Sequence, residues 1–200
     1  MKLVFFNLRE DEKSALESWR NAHPEVEIDV YTEELSSANK HLLEGKQGVV
    51  LAQNKPFESD VYEYAHEQGI KVFATRSAGF DIYDLELMNK YGIKMTNVPS
   101  YSPNAIAEHV LTTALRISRN TNKIQRNLEK HNFSWNPGIL SRELRTLTVG
   151  VIGTGRIGTQ AARLFNALGS KVLGYDVYKN EAAKEVLTYV ENLDDLIANS

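Results

Sequence analysis

Short apolar runs alternate with amphipathic segments along most of the chain. Leu3-Val4-Phe5-Phe6 reads as a buried strand, and residues 10–21 follow with Ala15, Leu16 and Trp19 on one helical stripe. Val26, Ile28 and Val30 alternate with Glu27 and Asp29 as a second strand, and Val49-Val50-Leu51 makes a third. Residues 61–68 are helical in composition and stop at Gly69, and residues 71–75 read as a fourth strand. A short helix over 84–90 ends at Tyr91-Gly92, before a fifth strand over 93–98. Strand–helix alternation of this kind implies parallel pairing with crossover helices, so the pattern predicts an α/β, doubly wound sheet.

The texture changes near residue 100. Pro99-Ser100-Tyr101-Ser102-Pro103 is a cluster of chain breakers, and a long helical pattern starts behind it. Ser102 suits the N-cap and Pro103 the first helical position, where a missing N–H costs nothing. Ile106, Val110 and Ala114 form one row of this helix and Ala107, Leu111 and Leu115 the next, a width that predicts deep burial. Ile117, Ile124 and Leu128 extend the pattern after a break. The boundary at about 99–102 divides the chain into domains of 1–100 and 101–200.

Composition narrows the class. The 200 residues carry 23 basic and 26 acidic side chains, a formal net charge of −3. With 42% hydrophobic and 24% charged residues the chain resembles an ordinary globular protein, and it has no basic excess for bulk nucleic-acid binding. The absence of cysteine excludes disulfides and thiolate chemistry, and fits a cytoplasmic setting. The first apolar run is too short for a signal-peptide core, and no stretch approaches a membrane span.

The strongest chemical signal is the strand Thr148-Val149-Gly150-Val151-Ile152 running into Gly153-Thr154-Gly155-Arg156-Ile157-Gly158. The next segment is helical, with Ala161, Leu164, Phe165 and Leu168 on one face and Gly169 as its stop, and a second strand ends at Asp176. That order matches the dinucleotide-binding βαβ unit. Gly153 allows the tight turn, Gly155 lets backbone approach a pyrophosphate, and Gly158 lets helix and strand pack closely. Asp176 stands where a carboxylate accepts ribose hydroxyls and repels a 2′-phosphate, which points to NAD and away from NADP.

A second loop, Arg76-Ser77-Ala78-Gly79-Phe80-Asp81, follows the fourth strand, where ligands of open parallel sheets bind. Together with Asn97-Val98-Pro99-Ser100-Tyr101-Ser102-Pro103-Asn104-Ala105-Ile106-Ala107-Glu108-His109 and the Gly153–Gly158 turn, it resembles the D-2-hydroxyacid dehydrogenase family. Within that family the D-lactate branch of bacteria is the nearest match, carried also by Arg9-Glu10-Asp11-Glu12-Lys13 and His131-Asn132-Phe133-Ser134-Trp135. The resemblance implies a flavodoxin-like substrate domain followed by a Rossmann NAD-binding domain that stops about halfway, with ligands in a cleft between them. It implies Arg156 and Ile157 at the pyrophosphate, and the backbone N–H groups of Ala78 and Gly79 on the carboxylate of a 2-oxo acid. It implies Tyr101 as a cleft residue at the hinge, and a homodimer contact through the long helix after Pro103. Ala52 departs from the pattern, because lactate enzymes of the family often carry a larger side chain there; either the pocket is enlarged or Phe57 or Tyr101 fills it.

The resemblance also implies a catalytic arginine and a glutamate–histidine pair, none of which matches a motif here, so no catalytic residue is assigned within these residues and no turnover is expected. His23, His41 and His66 read as solvated, and His109 and His131 as partly buried structural residues. No pair of them has metal-site spacing. Two alternatives stay open: an NADH-binding regulatory module of the same superfamily, and a relative acting on glycerate or formate.

Overall fold

A computed structural model describes all residues from Met1 to Ser200. The chain divides into two compact units, Met1–Tyr101 and Ser102–Ser200.

The first unit runs β1 (Lys2–Phe5), α1 (Lys13–Ala22), β2 (Glu27–Val30), β3 (Gly48–Leu51), α2 (Ser59–Glu67), β4 (Val72–Thr75), α3 (Leu85–Tyr91) and β5 (Lys94–Thr96). All five strands pair in parallel in the order β2-β1-β3-β4-β5, the flavodoxin-like arrangement. The register sets Val4, Val49 and Phe73 side by side, and this face is sealed with Val61, Tyr62 and Ala65 of α2 and Met88 of α3. The opposite face carries Leu3, Phe5, Ile28 and Val50, with Ala15, Leu16 and Trp19 of α1 lining an apolar groove of about 390 Å³ beside them. Alternation along each strand therefore sorts the side chains into a closed layer and a looser one. Asp84 caps α3 by accepting the Leu87 N–H at 2.9 Å, and Gly92 ends that helix in the left-handed conformation at φ 69°.

The second unit holds α4 (Pro103–Ser118), α5 (Thr121–Glu129), β6 (Thr148–Ile152), α6 (Arg156–Ala167), β7 (Lys171–Tyr175), β8 (Thr188–Tyr189) and α7 (Leu193–Ala198). Its three parallel strands run β6-β7-β8, the order of one mononucleotide-binding half of a doubly wound sheet. Val151, Ala162, Phe165, Val172, Ala183 and Leu187 make its core. Asn120, at φ 53°, breaks the long helical pattern into α4 and α5.

Three local expectations change. Ser102 occupies the N-cap of α4 but its side chain makes no capping bond. The wide apolar face of α4 is not deeply buried: Ala107 alone is, whereas Val110 is 41% and Ile117 70% exposed. β6 is likewise no buried strand, with Ile152 64% exposed, because β7 is its sole partner and its other edge is open. Apolar patterning records what a segment can bury, and neither segment meets enough neighbours within this unit to bury it. No helix is long and apolar enough to cross a membrane.

Candidate functional site

The turn from β6 into α6 is built around two glycines. Gly153 sits at φ +85°, a left-handed conformation that any side chain would strain. A Cβ on Gly158 would lie 1.9 Å from the Gly153 carbonyl oxygen, so helix and turn touch only because no side chain intervenes. Gly155 is the N-cap of α6, and a Cβ there would meet nothing within 4 Å. Open space thus lies over the N-terminal turn of a twelve-residue helix, the end of the helix that carries partial positive charge. Arg156 and Ile157 form that first turn, both exposed.

Asp176 follows the end of β7 and faces the same turn. Its Oδ2 accepts the Thr154 N–H at 2.6 Å and the Thr154 hydroxyl at 3.2 Å, and its Oδ1 accepts the Tyr178 N–H at 3.0 Å. The Tyr178 and Thr154 N–H groups hold this carboxyl below the usual aspartate range, so it is an anion at neutral pH. The structure therefore groups Gly153, Gly155, Arg156, Ile157, Gly158 and Asp176 at one end of the second unit's sheet. An anion-receptive helix terminus beside a fixed carboxylate, with room above the backbone, has the chemistry of a dinucleotide cradle.

The Ala78-Gly79 loop belongs to the first unit. Its carbonyls are each engaged: Ser77 O accepts from Val98 N at 3.0 Å, Ala78 O from Asn97 Nδ2 at 2.8 Å, and Gly79 O from Ser77 Oγ at 2.7 Å. Ser77 Oγ lies 2.8 Å from Thr75 Oγ1, which accepts the Tyr83 hydroxyl at 3.2 Å. Ala78 and Gly79 are themselves exposed, so an outside acceptor can reach their backbone. Tyr101 closes the first unit and is 68% exposed. Arg76 does not face this loop. It donates to Glu12 at 2.9 and 3.0 Å, to Phe6 O at 3.0 Å and to Asn7 O at 2.6 Å, tying the end of β4 to that of β1.

The sequence model of D-isomer specific 2-hydroxyacid dehydrogenases, catalytic domain, matches residues 2–199. The chain belongs to this family. A D-lactate dehydrogenase from Treponema pallidum is 49% identical over 200 residues, covering 100% of this chain and 60% of that protein. Among solved structures, D-2-hydroxyisocaproate dehydrogenase matches with TM-score 0.86 at 36% identity, covering all of this chain and 60% of the other. A D-lactate dehydrogenase with NAD+ from Lactobacillus jensenii matches with TM-score 0.79 at 32% identity and the same coverage. The chain thus spans about 60% of the length of the dehydrogenases it matches.

His109 and His131 are exposed, which corrects the reading of both as partly buried. His109 lies on the solvent side of α4, and His131 follows α5 at φ 51°. Thr154, Tyr189 and Asn180, which cluster behind Asp176, escape a reading by motif. Their one signal is the hydroxyl residue between the first two glycines of the turn.

Proposed function

We propose that this chain forms the substrate-carboxylate loop and the cofactor cradle of an NAD-dependent reductase of pyruvate-like 2-oxo acids. Residues 1–100 act as the substrate domain and 101–200 as a Rossmann NAD-binding domain that is incomplete at its C-terminal side. The observation that carries the reading is the Asp176 carboxylate fixed on the Thr154 N–H at 2.6 Å, beside the open space over Gly155. Gly155, Arg156 and Ile157 receive the pyrophosphate through backbone N–H groups and the charge of the α6 N-terminus, with Gly153 and Gly158 shaping the turn. Asp176 takes a ribose hydroxyl and repels a 2′-phosphate, which selects NAD over NADP.

NADH, when bound, supplies the hydride. The N–H groups of Ala78 and Gly79 hold the substrate carboxylate, and Tyr101 borders the substrate. The proton donor and the carboxylate-binding arginine lie outside these residues, so the 200 residues alone bind NADH without turning it over. Ala52 leaves room for 2-oxo acids longer than pyruvate. Phe57 is only 7% exposed and packs 4.7 Å from the Tyr62 ring, so its side chain is committed to the core. The likeness to D-2-hydroxyisocaproate dehydrogenase supports the same direction. The complete enzyme works as a cytoplasmic homodimer joined through the exposed apolar face of α4.

Fluorescence titration of the chain with NADH and NADPH tests the reading. Saturable NADH binding with a preference over NADPH is expected, together with D-2-hydroxy acid formation by the complete protein. NADPH binding as tightly as NADH would overturn the cofactor assignment.

A further inference from the structure

Behind Asp176 lies a chain of hydroxyl groups whose direction follows from donor counting and contact length. An ionised carboxylate only accepts, so the Thr154 hydroxyl, 3.2 Å from Asp176 Oδ2, must donate to it. Thr154 Oγ1 is also bonded to the Tyr189 hydroxyl. Its single proton is already given to Asp176, so Tyr189 donates there. The Tyr189 oxygen in turn accepts the Asn180 N–H at 2.8 Å. The Asn180 carbonyl, 3.4 Å from the Tyr189 hydroxyl, is the longer of that proton's two acceptors, so the order through the shorter contact is Asn180 N–H to Tyr189 O–H to Thr154 O–H to Asp176 carboxylate.

The surroundings hold this chain in place. Thr154 is fully buried, and its carbonyl accepts from Thr159 Oγ1 at 2.8 Å and Asn180 Nδ2 at 3.2 Å. Tyr189 stands on β8, the strand beside β7, with the Lys179 ammonium 5.8 Å from its ring centroid. Oδ2 of Asp176 thus holds two bonds from Thr154, the most that one carboxylate oxygen readily accepts, whereas Oδ1 holds only the Tyr178 N–H at 3.0 Å and keeps one lone pair for a ligand.

We infer that Tyr189 and Thr154 are positioning residues for cofactor selectivity: they lock Asp176 so that Oδ1 meets a ribose hydroxyl and stands where a 2′-phosphate would go. The inference rests on the NAD reading of this site. It adds two residues, one of them 35 positions from the glycine turn, to the group that sets selectivity. A free carboxylate could rotate away from a phosphate; a carboxylate pinned through Oδ2 cannot do so without breaking bonds to a buried threonine.

The test is NADH and NADPH affinity for Tyr189→Phe, Thr154→Val and Thr154→Ser in this chain, with thermal melts alongside. Removing the hydroxyl in Tyr189→Phe or Thr154→Val is expected to weaken NADH about three- to tenfold, the scale of one hydrogen bond in a charged network. NADPH affinity should hold or rise, so the NADH preference shrinks, and Thr154→Ser should recover most of the loss seen in Thr154→Val. A simple loosening of the turn would weaken both nucleotides by the same factor and would overturn the inference, as would unchanged NADH affinity in both hydroxyl-deleted variants. Failure of the unaltered chain to bind NADH would overturn the NAD reading and this inference together, an outcome distinct from the other two.

Discussion

The carbonyl oxygen of Gly153 stands 1.9 Å from where a Cβ on Gly158 would be. The turn and the first helical turn after it are in backbone contact, so the shape of the cradle depends on the absence of one methyl group. Gly158→Ala should force the turn outward, destabilise the second unit by about 1–3 kcal/mol as overpacking does, and weaken NADH at least tenfold. Chemical denaturation and NADH titration of the same variant check both effects; a fully stable variant with intact affinity contradicts the contact.

Gly155 makes the opposite case. A Cβ there meets no protein atom within 4 Å, so Gly155→Ala should leave the melting temperature unchanged. Space that the protein does not use is the space a pyrophosphate would fill, and NADH affinity should fall about tenfold or more, the scale of losing a close backbone contact. Loss of stability without loss of binding would reverse the roles assigned to the two glycines.

Asp176 is held as an anion by the N–H groups of Tyr178 and Thr154, which keep its carboxyl below the usual aspartate range. NAD+ affinity should therefore stay flat as pH falls from neutral through the range where free aspartates protonate, and decline only below it. Asp176→Ala should cost roughly 10–100-fold in NADH affinity while sparing NADPH. Isothermal titration across pH, with the variant beside the unaltered chain, reads both.

Glu12 and Arg76 link the ends of β1 and β4. Burial would raise the Glu12 carboxyl, but the Arg76 side chain and the Arg9 N–H outweigh it, and the net shift is downward. The unfolded chain therefore takes up this proton first as pH falls. The pair's stabilisation is whole above the usual glutamate range and is lost as pH falls through the lower, folded value. Glu12→Gln should cost about 1–3 kcal/mol at neutral pH and flatten the acid limb of the stability profile. Urea unfolding at neutral and acid pH tests it; an unchanged acid limb contradicts the link.

Ala52 sits at the end of β3, with its carbonyl held by Asn7 Nδ2 at 2.6 Å. In the complete enzyme, Ala52→Tyr should shift kcat/KM toward pyruvate and against a branched six-carbon 2-oxo acid by about tenfold or more, the range of a few methylenes in a pocket. Steady-state kinetics on the two substrates would show it, and an unmoved ratio would place this residue outside the pocket.

Much of the fold was legible because period and punctuation carry it. Five apolar runs separated by helical stripes describe a parallel sheet without any contact being known, and Asp84 and Gly92 mark the ends of α3 in their residue types. The cradle was legible for the same reason, since a tight turn and a close helix crossing demand glycine locally. The network behind it was not. Tyr189 looks like any half-buried strand residue, and only the pairing of β7 with β8 brings its hydroxyl to Thr154.

Burial was the least legible property. The rows of α4 and the apolar strand β6 announce a capacity to be covered, which patterning alone cannot distinguish from being covered. What the sequence determined by itself was local: where strands and helices run, where the chain must turn left-handed, and which turn can receive an anion. Tertiary structure decided what depends on distant partners. It turned Arg76 away from its own loop toward Glu12, left one edge of β6 open, and set a tyrosine, 35 residues beyond Thr154, behind the Asp176 carboxylate. The physical reason is that backbone conformation is imposed within a few residues, whereas hydrogen-bond direction and burial exist only once remote segments meet.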